Sequence, residues 1–283
     1  MASGYPEPFI VPPRRLPHKQ TFIILHGRGS WGEKFGQAFI DWPIVSAPLP
    51  TSSEEPALNS ITTRTIVSAF PHARFVFPSA ARRRATIYRR AYTRQWFDSW
   101  KLDPPATDRE ELQIPGLHET TEYIHGLLRA EIAAVPGGAA NIVLGGLSQG
   151  CAVSLVSLLL WKGDPLAAAF GMCGWLPYAD RLRDEFLGAE AKHSEPDKQS
   201  DELDFDPFER DDGDGNTGPP PELVSVAIRW LREELEAASQ STDMFKRGFQ
   251  QVPIFLGHGV VDEKVSIILG RNAASSLGIL GID

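Results

Sequence analysis

The stretch Asn141–Gly163, NIVLGGLSQGCAVSLVSLLLWKG, constrains this chain more than any other. A short aliphatic run, Ile142 to Leu144, meets a pair of glycines and a serine. A segment from Gln149 to Trp161 follows that is apolar on nearly every side. A continuous apolar run of this length reads as a strand buried on both faces, and a helix apolar all round reads as one enclosed by its neighbours. Both demands are met by a parallel sheet lying between layers of helices.

The pattern recurs. TFIILHGRGS places a strand over Thr21 to Leu25 before a glycine-bearing loop, and ARFVFPSA places another over Phe75 to Phe77, broken by Pro78. LAAAFGMCGWLP and VPIFLGHG continue it. Between them, LHETTEYIHGLLRAEIAAV sets Leu117, Tyr123, Ile124, Leu127, Leu128 and Ile132 near helical spacing, PELVSVAIRWLREELEAA is amphipathic, and KVSIILGRNAASSLGIL reads as a further helix. We therefore expect one α/β domain over residues 21–283, preceded by a proline-rich lead at 1–20, with ligands arriving at the carboxyl ends of the strands. LGILGID reads as a linker entering one more strand.

The net charge of −8 is unevenly spread. Asp184–Asp214 holds 13 acidic residues against Lys192, Lys198 and Arg210, a balance of −10 that leaves the remainder near +2. Acidity is thus a property of one segment. Residues 184–221 are poor in aliphatics and end in a proline run, so they are expected to form a disordered surface insertion. No apolar run approaches a membrane span, and the lead lacks the order of a secretory signal, so the expectation is a cytoplasmic protein. Cys151 and Cys173 stand far apart without CxxC spacing, which supports neither a disulfide framework nor a zinc site. No metal or cofactor is called for.

The chemistry centres on Gly146-x-Ser148-x-Gly150 between a strand and a helix, the context that a nucleophilic serine on a strained turn requires. A serine that merely caps a helix would look similar. The main-chain N–H of Gln149 would face an oxyanion formed on an attacked carbonyl. In LHGRGS, Gly27 and Gly29 allow close backbone approach, making the N–H of Arg28 the candidate second donor. Asp262, after the VPIFLGHG strand, could orient a histidine, or cap a turn.

Taken in order, LHGRGS, QWFDSW, GGLSQG and GHGVVDEKV resemble the acyl-protein thioesterase branch of the phospholipase/carboxylesterase family. That resemblance implies the α/β-hydrolase fold and a cytosolic serine hydrolase acting on acylated proteins, lysophospholipids or small carboxylic esters through an acyl-enzyme. It also implies that Ser148 is the nucleophile, Asp262 the acid, and Arg28 and Gln149 the oxyanion positions. Trp96, Phe97 and Asp98 fall at the substrate-binding segment, and His258 takes a structural role. The entrance loop departs from the family in carrying Arg28 and Ser30, and the acidic insertion is a second departure. The third is larger. The family places its catalytic histidine beyond the aspartate after one more strand, and no histidine follows Asp262 here. The expectation is a member without its C-terminal strand, helix and general base, so an impaired relative acting as a binding module is the alternative.

ARRRATIYRRAYTR, residues 81–94, crowds Arg82, Arg83, Arg84, Arg89, Arg90 and Arg94 before QWFDSW. It reads either as an electrostatic lip for acidic head groups, anionic membrane or an acylated protein, or as a solvated loop paired with the acidic insertion. No nucleic-acid module surrounds it. Tyr88, Tyr92 and Trp100 could join Trp96 and Phe97 along an acyl groove, although aromatics at this density more often pack a core.

Overall fold

The computed structural model describes residues 4–46, 62–193, 220–235 and 248–282. In chain order its elements are β1 (Phe9–Val11), β2 (Gln20–Leu25), α1 (Gly32–Asp41), β3 (Pro43–Ser46), β4 (Thr62–Thr65), α2 (Ile66–Ala69), β5 (Ala73–Phe77), β6 (Arg82–Ala85) and β7 (Ala91–Arg94). There follow α3 (Ile114–Ala134), β8 (Ile142–Leu147), α4 (Gln149–Leu159), β9 (Ala168–Met172), α5 (Ala179–His193), α6 (Pro221–Glu234), β10 (Ile254–Gly257) and α7 (Ile267–Ile279).

Six strands form one sheet in the order β1-β5-β2-β8-β9-β10. Only the β1–β5 pair is antiparallel; β5, β2, β8, β9 and β10 run parallel. The all-apolar strands are explained by what lies on each side. Because side chains alternate across a strand, Ile23, Leu25 and Val76 enter a large cluster with α3, α4, α6 and α7, while Ile24, Phe75 and Phe77 enter a second cluster with Phe35 and Phe39 of α1. Helix α4 lies wholly in the interior, with every residue from Gln149 to Leu159 buried. The second face thins toward β10. There Phe170 is half-buried, and its register partner Phe255 is 67% exposed.

Several expectations are corrected by packing. The lead is part of the sheet, through β1 on β5. Tyr5, before it, stacks on Tyr123 of α3 with ring centroids 4.0 Å apart. The first ten residues of the supposed insertion, 184–193, continue α5, whose Leu182 and Phe186 are buried one turn apart. The rest of the insertion up to residue 219 lies outside the described residues. Residues 277–282 of LGILGID belong to the end of α7 and its cap, where Leu277, Leu280 and Ile282 are buried in the large cluster. The arginine segment is a two-stranded ribbon, β6 with β7. Among the described residues no helix is long and apolar enough to cross a membrane.

This two-sided core sets an expectation for stability. Leu144→Ala, at a side chain with no exposed surface, should cost about 2–5 kcal/mol by the usual cost of a core cavity. Phe255→Ala should stay within about 0.5 kcal/mol. Urea denaturation of both variants checks the contrast.

Candidate active site

The elbow between β8 and α4 is built by contact distances that leave no room for side chains. A Cβ on Gly146 would lie 2.5 Å from the main-chain carbon of Gly150, and one on Gly150 would lie 2.3 Å from the carbonyl oxygen of Leu25 at the end of β2. The helix therefore starts pressed against the sheet, and the chain between must turn sharply. Ser148 makes that turn at φ 54°, ψ −119°. A serine gains nothing locally from this conformation, which costs on the order of 1–3 kcal/mol and persists only where its surroundings enforce it. Its own N–H donates to the carbonyl of Met172 at 2.8 Å, tying the elbow to the end of β9.

Gln149 carries the next layer. Its side chain is buried, its Oε1 accepts from the Trp96 N–H at 3.0 Å, and its Nε2 donates to the Phe97 carbonyl at 2.7 Å. Trp96 is held again by its Nε1–H, which donates to the His26 carbonyl at 2.7 Å, and by its own carbonyl, which accepts from Thr120 Oγ1 at 2.6 Å. One amide thus clamps the loop after β7 to the first turn of α4. The main-chain N–H of Gln149, at the first helical position, is one of the donors that a helix start leaves without an intrahelical partner.

The loop after β2 approaches from the other side. Gly27 faces the serine so closely that a Cβ there would come 3.4 Å from Ser148 Cβ, which sets the Gly27–Arg28 peptide beside it. The Arg28 guanidinium donates to Ser99 Oγ and lies 5.9 Å from the centre of the Tyr88 ring. Gly29, with φ 83°, donates its N–H to the Arg94 carbonyl at 2.8 Å.

Asp262 sits in the loop after β10. Its Oδ1 accepts from the main-chain N–H groups of Lys264 at 2.8 Å and Val265 at 3.0 Å. Burial pushes its pKa up, but those two donors, with the Cys173 thiol and His258 beside it, outweigh that effect and hold the carboxyl below its ordinary range. Cys173 links the halves of the site. It follows Met172, donates its N–H to the Gly257 carbonyl at 2.8 Å, and turns at φ 48°. Ser148 and Asp262 accordingly stand at the carboxyl ends of the neighbouring parallel strands β8, β9 and β10.

The structure places the QWFD residues differently from the sequence reading. Trp96 and Phe97 have no exposed surface and support the elbow from behind. Asp98 spends its carboxylate on the Thr86 N–H and hydroxyl and the Ser99 N–H, fixing the β6–β7 ribbon. None of the three is free to meet a substrate in this arrangement. The sequence reading missed the Gln149 side chain, Thr120 and Cys173; only a long polar residue after the serine, in an otherwise apolar helix, signalled the first.

Six of the seven histidines have structural partners. His26 donates from Nδ1 to the Gly27 carbonyl at 2.7 Å, and its Nε2 accepts from the Ala80 N–H at 3.0 Å, so both nitrogens are engaged in the neutral ring. Burial lowers its pKa to about 4. His258 donates from Nε2 to the Val265 carbonyl at 2.8 Å and lies 3.9 Å from Asp262 Oδ2. His18, His72, His118 and His125 each bond a carbonyl. Two cavities flank α4. One of about 250 Å³ is lined by Cys151, Leu155, Leu256, His258 and Ile267, and one of about 630 Å³ at the far end of the helix includes His125 and Trp161; Ser148 lines neither.

Two outcomes follow. Gln149→Ala strands the Trp96 N–H and the Phe97 carbonyl, each costing about 1–3 kcal/mol if left unsatisfied; equilibrium unfolding should show the loss. His26 binds its proton more weakly when folded than unfolded, so the stability it supports is complete above about pH 6.5 and is lost as the pH falls toward 4, by at most about 3 kcal/mol. His125, also lowered by burial, acts in the same direction. Unfolding measured across that window should be less steep in pH for His26→Gln.

A model described as phospholipase/carboxylesterase matches residues 55–194. The chain is 27% identical over 166 residues to acyl-protein thioesterase 1 of Schizosaccharomyces pombe, covering 58% of this chain and 60% of that protein. It is 30% identical over 131 residues to the carboxylesterase SOBER1 of Arabidopsis thaliana, covering 46% and 56%. The matches span about three fifths of the length of these relatives. Among solved structures, acyl-protein thioesterase 2 of Zea mays superposes with a TM-score of 0.57 at 20% identity, covering 98% of this chain and 86% of that one. Arabidopsis SOBER1 gives 0.55 at 19%, covering 93% and 85%. These likenesses establish the α/β-hydrolase fold.

Proposed function

Because the chain belongs to the phospholipase/carboxylesterase family, we propose that it is a serine hydrolase of carboxylic esters or thioesters, of the acyl-protein thioesterase type, working in the cytoplasm. The observation that carries this reading is the strained elbow at Ser148, φ 54°, enforced by the approach of Gly150 to Leu25 and backed by the buried Gln149. A helix cap needs no such strain. In this reading Ser148 Oγ attacks the acyl carbonyl and the N–H groups of Gln149 and Arg28 stabilise the oxyanion. The alcohol or thiol then leaves, and water resolves the acyl-enzyme. Asp262, held anionic, would steady a cationic proton carrier.

A second reading has its own support. All seven histidines lie among the described residues, and no hydrogen bond joins any of them to Ser148. A serine with no adjacent base retains only the contribution of the oxyanion donors and binding, about 10³–10⁴-fold over water by analogy with serine proteases. The chain as given would then be a slow hydrolase or a binding relative.

One assay separates these. Hydrolysis of p-nitrophenyl acetate and of a palmitoyl thioester is compared between the chain and Ser148→Ala. A rate that vanishes with the hydroxyl supports serine catalysis, and its size distinguishes a full catalytic site from an impaired one. Identical rates for the two proteins would overturn the assignment.

A further inference from the structure

We propose that the outer face of the β6–β7 ribbon is a docking surface for an extended acidic segment of a protein substrate, which it presents to the Ser148 elbow. This rests on the hydrolase reading above and adds the chemistry of the partner.

The register pairs Arg82 with Arg94 and Arg84 with Tyr92. Alternation along β6 therefore puts Arg82 and Arg84 on one face. Arg83 turns to the other, where it donates to Tyr5 OH at 3.0 Å and meets Glu119 at 2.7 Å. The inward arginine is paired; the outward ones are not. Arg82, Arg84 and the turn residues Arg89 and Arg90 are exposed and form no ion pair with an acidic residue among the described residues. Among the described residues, then, no carboxylate neutralises these four arginines, those of residues 184–193 included.

Spacing and composition indicate what would neutralise it. Residues two apart on a strand stand about 6.6 Å apart, which is also the repeat of alternate side chains in an extended peptide. Arg82 and Arg84 therefore match carboxylates on every second residue of such a segment. Tyr88 and Tyr92 are the ribbon's large exposed hydrophobic residues, at 53% and 57%. Each ring is engaged by an arginine, Arg28 at 5.9 Å and Arg84 at 4.7 Å from the ring centre. Rings held beneath guanidinium groups, with no large aliphatic side chain exposed beside them, make a flat cationic surface and lack the apolar wedge that a bilayer would take up.

The ribbon's attachments give this surface its purpose. Through Arg94 it holds Gly29, and through Thr86 it is held by Asp98, so it is joined directly to the loops that flank the serine. A segment lying on the ribbon would carry a neighbouring acylated residue toward Ser148.

Fluorescence anisotropy of the full chain with a labelled peptide of alternating Asp and Ser, beside its Asn-Ser counterpart, tests this. The acidic peptide should bind, more weakly as salt rises, and the neutral one should not. Removing two exposed ion pairs by R82Q/R84Q should weaken binding about tenfold, whereas R82K/R84K should keep most of it. If R82Q/R84Q unfolds, Arg89→Gln, outside the strand pairing, should give a smaller loss in the same direction. Equal affinity for both peptides, or full affinity in a folded R82Q/R84Q protein, overturns the proposal. So does retention by phosphatidylserine vesicles without peptide binding. Measuring hydrolysis by the unaltered chain beside these titrations separates the two claims, since absent hydrolysis with intact arginine-dependent binding would sink the enzymatic reading alone.

Discussion

The contact between the first turn of α4 and the last carbonyl of β2 is the constraint on which the site depends. A side chain of even one carbon at Gly150 would strike the Leu25 oxygen at 2.3 Å. Because the helix begins that close to the sheet, Ser148 cannot reach it through an ordinary strand or helix conformation and is forced to positive φ. The same closeness buries Gln149, and a buried amide must find partners. It finds them in the Trp96 N–H and the Phe97 carbonyl. Trp96 in turn is bonded to His26 and Thr120. A packing restriction at one glycine thus propagates as hydrogen bonds through three loops.

How much of this was legible in the sequence depended on whether the signal was local. The strands around Ile23, Val76, Leu144 and Phe170 were readable because burial on both faces demands unbroken apolar runs. The elbow was readable because a strand, two flanking glycines and a helix occur in one stretch. By contrast, β6 and β7 carry arginine at four of their eight positions, and no apolar alternation marks them as strands; their order comes from pairing with each other and from the carboxylate of Asp98. Helix α1 follows Trp31, which supplies no capping bond, so its start carried no signal. The opening of the acidic segment was misread because composition hid the spacing of Leu182 and Phe186, which seats α5 against the core.

Trp96, Phe97 and Asp98 show why motif membership and substrate contact are separate questions. A residue can recur beside a reactive serine because it touches the substrate or because it holds something that does. Here the interior claims Trp96 and Phe97, and the half-buried Asp98 spends its carboxylate on Thr86 and Ser99. Their effect on chemistry would be exerted through the position of the Gln149 N–H, and the tolerance of an oxyanion donor for displacement is small: these bonds work at about 2.7–3.1 Å.

The electrostatics of the site divide along the same lines. Around the elbow, charge is suppressed or fixed: His26 is kept neutral by burial and by the Ala80 N–H aimed at its free nitrogen, and Asp262 is kept anionic by two main-chain donors. Outside it, on the ribbon, four exposed arginines have no acidic partner among the described residues. Fixed dipoles in a buried setting stabilise charge that develops during a reaction, because they need not reorganise. Exposed cations act at longer range and are screened by salt, which suits them to gathering and orienting a partner. The hydrogen bond from Gly29 to Arg94 joins the two regions through the backbone, so a partner drawn to the arginines would arrive at a loop already set against the serine.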